Sequence, residues 1–299
     1  MNQLEMMQKI ECGNGFIAAL DQSGGSTPGA LKAFGYTGDE WSNDEEMFDL
    51  IHQMRVRIIT SPSFNGDKIL GAILFEKTMD GEADGNPVPQ ALWDRGVVPF
   101  LKVDKGLEDE TDGVRLMKPN PGLDGLLERA VAKGMFGTKM RSVIELANPK
   151  GIGDIVRQQF DVAEQIARHG LMPIIEPEVS IKSHERAQSD RILLDELRGA
   201  LDVLPEGRQV MLKLSLPAEA GLFAPLVRHP RVLRVVALSG GFSRDEACRE
   251  LAKNEGMVAS FSRALLEGLR ADMSDEEFDR TLGRSIEQIY EASTAKVAA

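Results

Sequence analysis

The chain has 299 residues, 42% of them hydrophobic, and a formal net charge of −12. Such an acidic chain disfavours nucleic acid as a partner, and no apolar run approaches the roughly 18 residues of a membrane span. Its two cysteines, Cys12 and Cys248, lie outside any C-x-x-C pair, which removes a disulfide framework or a zinc pattern. Reduced thiols and an N-terminus without a charged-then-apolar signal pattern make the cytoplasm the expected location.

Along the chain, short apolar or β-branched runs alternate with longer amphipathic stretches. The runs are 15–21, 68–75, 97–104, 138–146, 171–179, 210–216, 233–239 and 258–261. Helical periodicity fills intervals such as 44–59, 123–133, 152–168, 191–203, 244–253 and 261–270. The stretch 107–120 is mostly polar and reads as a long loop after the third strand, and about 272–298 reads as a closing helix. Alternation of strand and helix implies parallel strands. Eight repeats with no linker or composition break imply a single (β/α)8 TIM barrel domain over 1–299 with a C-terminal closing helix.

In such a barrel the site lies at the C-terminal ends of the strands. Strand one ends at Asp21, followed by Gln22-Ser23-Gly24-Gly25-Ser26, and strand three ends Lys102-Val103-Asp104-Lys105-Gly106. Strand four carries Lys139 and Arg141, and strand five ends Glu176-Pro177-Glu178. Strand six, Val210-Met211-Leu212-Lys213-Leu214-Ser215-Leu216, is apolar except for one lysine near its middle and a serine. An ammonium in a buried strand is costly unless it is paired or used. Lys213 is therefore either an ion-pair partner or a nucleophilic amine that attacks a ketone to form a Schiff base. An inward-facing Lys139 two strands away would add a like charge that favours a neutral amine.

Glu176 and Glu178 sit at i and i+2, on one face of their strand. They can supply the acid and base that form and dehydrate a carbinolamine, or simply neutralise Lys139, Arg141 and Lys213. Strand seven ends Ser239-Gly240-Gly241-Phe242-Ser243 and strand eight ends Ser260-Phe261-Ser262-Arg263. Two glycines before a helix N-terminus, with Arg263 beside them, form a candidate phosphate site; the same residues also read as a turn and N-cap. A second cationic cluster from Lys102 and Arg141, with Ser23 and Ser26, would take another anionic group across the mouth, while Lys105 reads as structural. The four histidines end no strand, and the G-x-G-x-x-G fingerprint and the P-loop are absent, so neither metal nor nucleotide cofactor is expected.

These blocks, in this order from about Gly15 to Leu266, resemble the class I (Schiff-base) fructose-1,6-bisphosphate aldolases in their shorter bacterial form. Further blocks that carry the resemblance are Ala18-Ala19-Leu20-Asp21, Ile73-Leu74-Phe75, Gly122-Leu123-Asp124-Gly125-Leu126, Lys139-Met140-Arg141 and Leu212-Lys213. The resemblance implies reversible cleavage of fructose 1,6-bisphosphate to dihydroxyacetone phosphate and glyceraldehyde 3-phosphate, in glycolysis or gluconeogenesis, without metal or cofactor. Lys213 is then the Schiff-base lysine, Glu176 the acid/base of the carbinolamine steps with Glu178 supporting it, and Asp21 the group acting at C3 and the C4 hydroxyl. Lys139 is the cation beside the amine. Ser239, Gly240 and Arg263 take the C1 phosphate; Ser23, Ser26, Lys102 and Arg141 take the C6 phosphate.

The animal-type members have Glu where this chain has Gln22, Trp where it has Met140, and Pro-Asn where it has Leu214-Ser215. They also end in a tyrosine that serves proton transfer at C3; here the last tyrosine is Tyr290, so either it substitutes or the exchange runs without it. Tagatose 1,6-bisphosphate is the alternative substrate, and a transaldolase or a chain that binds without turnover are the alternative classes. The expected partner is a small sugar phosphate, with no nucleic acid and no membrane; a homo-oligomer is compatible with the sequence, which does not specify it.

Overall fold

A computed structural model describes residues 2–23, 25 and 27–297. Eight strands follow one another round the sheet: β1 (Phe16–Leu20), β2 (Ile69–Leu74), β3 (Val98–Lys102), β4 (Gly137–Ile144), β5 (Met172–Val179), β6 (Val210–Ser215), β7 (Val232–Leu238) and β8 (Val258–Ala259). Each neighbouring pair is parallel. The Ala19 N–H donates to the carbonyl of Phe261 at 3.1 Å, which draws the end of β8 back to β1 and brings the sheet close to a closed barrel. Every strand expected from the sequence is present.

Side-chain alternation decides what fills this ring. Ile17, Ala19, Ile73, Val98, Phe100, Ile174, Met211 and Val236 point inward and form one buried cluster. Phe100 occupies the centre because β2 and β4 present glycines to it: a Cβ on Gly71 or Gly137 would lie 2.9 Å from its ring. The alternate residues face outward, where Leu20, Leu74, Leu101, Met140, Ile175, Leu212 and Ala237 pack against the helices.

Those helices are amphipathic with sharp starts. In α5, introduced here with its partners α1 (Gln3–Cys12), α2 (Thr27–Phe34), α3 (Asp44–Thr60), α4 (Leu123–Ala132), α6 (Arg186–Asp202), α7 (Arg244–Ala252) and α8 (Asp275–Thr294), the range is Pro149–Arg168. Asn148 caps α5 by accepting from Lys150 N–H at 3.0 Å, and Ile152, Ile155, Val156, Ala163 and Ile166 form its buried stripe. The closing helix α8 starts after Ser274, three residues later than the sequence pattern suggests, because Ser274 accepts from Glu277 N–H at 3.3 Å. It ends at Thr294, short of the expected 298, where Lys296 turns to donate to the carbonyls of Met257 at 2.7 Å and Ala292 at 2.9 Å.

Three further features depart from the sequence reading. The helix α1 precedes β1 and buries Met6 and Ile10 against the barrel interior, plugging its N-terminal end; each is worth roughly 1.5–3 kcal/mol of apolar burial. The stretch 107–120 is not only a loop, since Val114–Arg115 pairs antiparallel with Val143 and Ile144 on β4. The helix expected over 261–270 is one turn, Arg263–Leu266.

Candidate active site

The inward parity of the strands continues past the apolar layer, and the residues change type at one level. Ile17 and Ala19 lead to Asp21, Phe100 to Lys102, Gly137 to Lys139 and Arg141, Ile174 to Glu176 and Glu178, and Met211 to Lys213. A cavity of about 1170 Å³ opens above this level at the C-terminal ends of the strands, lined by all of these charged residues together with Ser239, Gly240 and Arg263.

The innermost charges are nearly sealed from water: Lys139, Glu176 and Lys213 are each 3% exposed and Asp21 8%. They form a chain of ion pairs. Lys139 Nζ lies 2.7 Å from Asp21 Oδ2 and 2.7 Å from Glu176 Oε2. Lys213 Nζ lies 3.1 Å from Glu176 Oε1. One carboxylate on β5 thus bridges the two lysines of β4 and β6. Burial alone would raise Asp21, but the ammonium charges of Lys139 and Lys213 outweigh it and hold the carboxyl well below its ordinary range. Burial would likewise lower Lys139, yet Asp21, Glu176 and Asp104 outweigh it and hold the lysine firmly protonated.

The backbone of Glu176 is fixed from outside the barrel. Gln159 of α5 is fully buried; its Oε1 accepts from the Glu176 N–H at 2.9 Å and its Nε2 donates to Ser142 Oγ at 3.0 Å. Sequence reading did not single out Gln159, although it is the polar member of the apolar stripe of α5. Arg55 of α3 was also not anticipated. It is fully buried and donates to Thr78 Oγ1 at 2.9 Å and to the carbonyl of Gln22. Burial lowers the Arg55 guanidinium to about 10, opposed by the charge of Asp21.

Around this core lies a rim. Lys102 Nζ contacts Asp104 Oδ1 at 2.5 Å, and Arg141 Nε contacts Glu178 Oε2 at 2.5 Å. Asp104 also accepts from the Arg141 N–H at 3.2 Å. Burial opposes the charge on Arg141, but Glu178 outweighs it and raises the guanidinium further. Lys105 turns away to Glu76 at 2.8 Å. Opposite, the turn after β7 puts Gly240 at φ 61° and Gly241 at φ 121°, conformations that favour glycine. A Cβ on Gly241 would sit 3.5 Å from Arg263 Nη2, so the guanidinium lies against this turn. Arg263 has no ion-pair partner among the described residues.

Two expectations change. The start of α7 offers fewer free N–H groups to an anion than expected. Ser243 and Glu246 form a capping box, with the Ser243 N–H donating to Glu246 Oε2 at 3.0 Å, and the Arg244 N–H donates to Glu267 Oε2 at 3.1 Å. Glu246 of the helix and Glu267 beyond the one-turn helix occupy those two donors, which leaves the glycine turn and Arg263 to meet a phosphate. Tyr290 lies far from the cavity: its ring faces Lys68 Nζ at 5.7 Å, beside the start of β2 at the opposite end of the barrel. It is not placed to substitute for a terminal tyrosine. Ser23 lines the cavity, whereas the predicted Ser26 lies outside the described residues. Among the described residues no group of three or more His, Cys, Asp or Glu is arranged to hold a metal ion, and no helix is long and apolar enough to cross a membrane.

The family model of class I fructose-bisphosphate aldolase matches residues 5–211. This chain belongs to that family. The match ends two residues before Lys213, so family membership rests on β1 to the start of β6 and leaves the role of the lysine to be argued from the cavity. Among solved structures, the chain is similar to the fructose-bisphosphate aldolase of Plasmodium falciparum in complex with TRAP and a small-molecule inhibitor. The TM-score is 0.80 at 23% identity, over 99% of this chain and 95% of the other. It also resembles Cgl0159 of Corynebacterium glutamicum, with a TM-score of 0.54 at 13% identity over 97% and 92%. A third likeness is to a Schiff base-forming fructose-1,6-bisphosphate aldolase, with a TM-score of 0.51 at 14% identity over 95% and 100%. At these identities the likenesses establish the TIM-barrel fold.

Proposed function

We propose that this class I aldolase reversibly cleaves fructose 1,6-bisphosphate to dihydroxyacetone phosphate and glyceraldehyde 3-phosphate through an imine on Lys213. The observation that carries this reading is the buried Lys213 ammonium, 3.1 Å from a Glu176 carboxylate and open to a cavity large enough for a hexose bisphosphate. Transfer of one proton from Lys213 to Glu176 leaves an amine and a carboxylic acid, the two groups that the first steps require. The amine attacks C2, and Glu176 returns the proton to the departing hydroxyl, which leaves as water. The protonated imine then withdraws electrons as the C3–C4 bond breaks, while Asp21 takes the proton of the C4 hydroxyl. Aldehyde departs, and the enamine is reprotonated at C3 before hydrolysis frees the lysine.

Lys139, held between Asp21 and Glu176, keeps the two carboxylates apart in role and contacts the substrate hydroxyls; Glu178 orients Arg141. Ser239, Gly240 and Arg263 take the C1 phosphate. Ser23, Ser26, Lys102 and Arg141 take the C6 phosphate. The enzyme works without metal as one barrel domain, in the cytoplasm, within glycolysis or gluconeogenesis.

Borohydride added with dihydroxyacetone phosphate is expected to inactivate the enzyme and leave a reduced adduct on Lys213 by peptide mass spectrometry, with turnover resistant to chelator. Full activity in Lys213→Met, or an adduct elsewhere, would overturn the assignment. Relative kcat/KM for fructose and tagatose bisphosphates decides the substrate.

A further inference from the structure

The hairpin after β3 carries a cation with no role in that reaction. Arg115 lines the cavity together with Lys102, Arg141, Gly106 and Leu107. Strand register sets its face. Arg115 pairs antiparallel with Val143 of β4, and residues directly opposite each other share a face of the sheet. Val143 in turn shares the face of Arg141, two residues earlier on the strand. Arg115 and Arg141 are therefore diagonal neighbours on the cavity side, roughly 7–8 Å apart at the backbone and within reach of side chains of this length.

The hairpin is braced to hold that position. The Glu108 N–H donates to the carbonyl of Leu116 at 2.9 Å, and the Lys118 N–H to that of Gly106 at 3.0 Å. Gln158 of α5 clamps the Met117 backbone, accepting from its N–H and donating to its carbonyl, each at 2.9 Å. The Glu145 N–H donates to the carbonyl of Gly113 at 2.9 Å. Within this frame Arg115 Nε donates to the carbonyl of Glu108 at 3.0 Å. Among the described residues no hydrogen bond or ion pair takes its Nη nitrogens. Its neighbours differ, since Lys102 and Arg141 are each held by a carboxylate.

We infer that Arg115 is a specificity-determining residue that binds the C6 phosphate of the ketose through its two free Nη groups. This rests on the aldolase reading above. A phosphate arriving at that end meets two cations whose charge is already offset by Asp104 and Glu178. Arg115 adds a cation with no such competitor and a planar fork that fits two phosphate oxygens. It does for this end what Arg263 does for the other, where a guanidinium lies against the glycine turn. Because the hairpin and Nε already hold the side chain, little further ordering is needed on binding. A ketose without the 6-phosphate leaves the fork unused, so Arg115 favours bisphosphates over 1-monophosphates.

A residue that only ties the hairpin through Nε would respond differently to two substitutions. The amide nitrogen of Gln is attached to Cδ, as Nε of Arg is. Arg115→Gln thus keeps a donor for the Glu108 carbonyl and removes the fork. Arg115→Lys keeps the charge and loses the donor at that point. The test measures kcat/KM for fructose 1,6-bisphosphate and fructose 1-phosphate in the wild type and both variants. Arg115→Gln is expected to lower the ratio of bisphosphate to monophosphate roughly tenfold, mainly through KM for the bisphosphate, whereas Arg115→Lys retains most of the ratio.

A ratio unchanged in Arg115→Gln, or equal losses for the two sugars, overturns the inference. A ratio kept in Arg115→Gln and lost in Arg115→Lys also overturns it and leaves Arg115 a hairpin tie. Borohydride trapping of dihydroxyacetone phosphate on Lys213, which needs no C6 phosphate, is run in parallel. No adduct in the wild type overturns the aldolase reading itself, whereas a normal adduct with an unchanged ratio overturns the Arg115 inference alone.

Discussion

The charges in the cavity fall into an inner group and a rim, and each stays solvated by a different route. Asp21, Lys139, Glu176 and Lys213 are sealed from water and satisfy one another. At the rim, Lys102 and Arg141 are parked on carboxylates of their own, while Arg263 has no ion-pair partner among the described residues. Inside, no charge can be removed without stranding another in a low-dielectric site. At the rim, water replaces what is lost at Arg141 and Arg263, whereas the Lys102 and Asp104 side chains are only 11% and 3% exposed. Changes to the inner group should therefore damage chemistry and stability together, and changes to the exposed guanidinium of Arg263 should alter binding alone.

Lys139→Met should break this contrast most severely. Asp21 and Glu176 would share a sealed pocket with one remaining cation, and loss of a partner from a buried pair costs about 3–5 kcal/mol. In the proposed reaction kcat should fall about a thousandfold, within the range of a lost acid–base arrangement. Melting curves and steady-state kinetics check the two effects. Activity lost with an unchanged Tm would show that the inner group is less coupled than its distances indicate. The same pairs set a pH signature in the wild type. Asp21 is depressed below its ordinary 3.8, so its contribution is present above that value and is lost as pH falls through the lower folded-state value. Lys139 is raised above 10.5, so its contribution is full below that value and lost only as pH rises through the folded-state value. Stability carried by this pair should hold across the range between those limits and fail below about pH 4.

Much of this division was legible in the chain. Period-two alternation places Asp21, Lys102, Lys139, Glu176 and Lys213 on inner faces, and the strand ends follow from the turns after them. What stayed hidden are contacts between elements distant in sequence. Gln159 reaches Glu176 from the outer side of the sheet, and Arg55 reaches Gln22 from the next helix but one. Neither residue belongs to a local motif. The N–H groups at the start of α7 read as free because the sequence does not reveal that Glu267 folds back to Arg244. Helix α1 was missed for a related reason: Met6 and Ile10 form only one turn of apolar spacing, which becomes decisive once a barrel end needs covering.

At the rim the contrast sharpens between its two ends. Arg263→Met removes a guanidinium that is already free to meet an anion. Hydrogen bonds to charged groups contribute about 1.5–3 kcal/mol each, so KM for the bisphosphate should rise roughly a hundredfold with Tm nearly unchanged. Lys102→Met should raise KM less, by about tenfold, because an arriving phosphate must first compete with Asp104 for that lysine. Equal losses at the two ends, measured as KM under one ionic strength, would show that the Lys102–Asp104 pair imposes no competition.

Asp104→Asn turns this competition into the smallest and most discriminating effect, because it should improve binding. Asn keeps an acceptor for the N–H of Arg141, which Asp104 now binds at 3.2 Å, but cannot hold Lys102 as an ion pair. Lys102 is released towards the cavity and one negative charge leaves the neighbourhood of the incoming phosphate. Two charges several ångströms apart near a protein surface interact by about 1 kcal/mol or more, so KM should fall about threefold to tenfold. The gain should change little with added salt, since the side chains of the pair are nearly buried and weakly screened. Removal of the same charge also breaks a nearly buried ion pair, at about 3 kcal/mol, and Tm should drop while affinity rises. An affinity that falls with stability would mean that Asp104 positions Lys102 for the phosphate instead of competing for it.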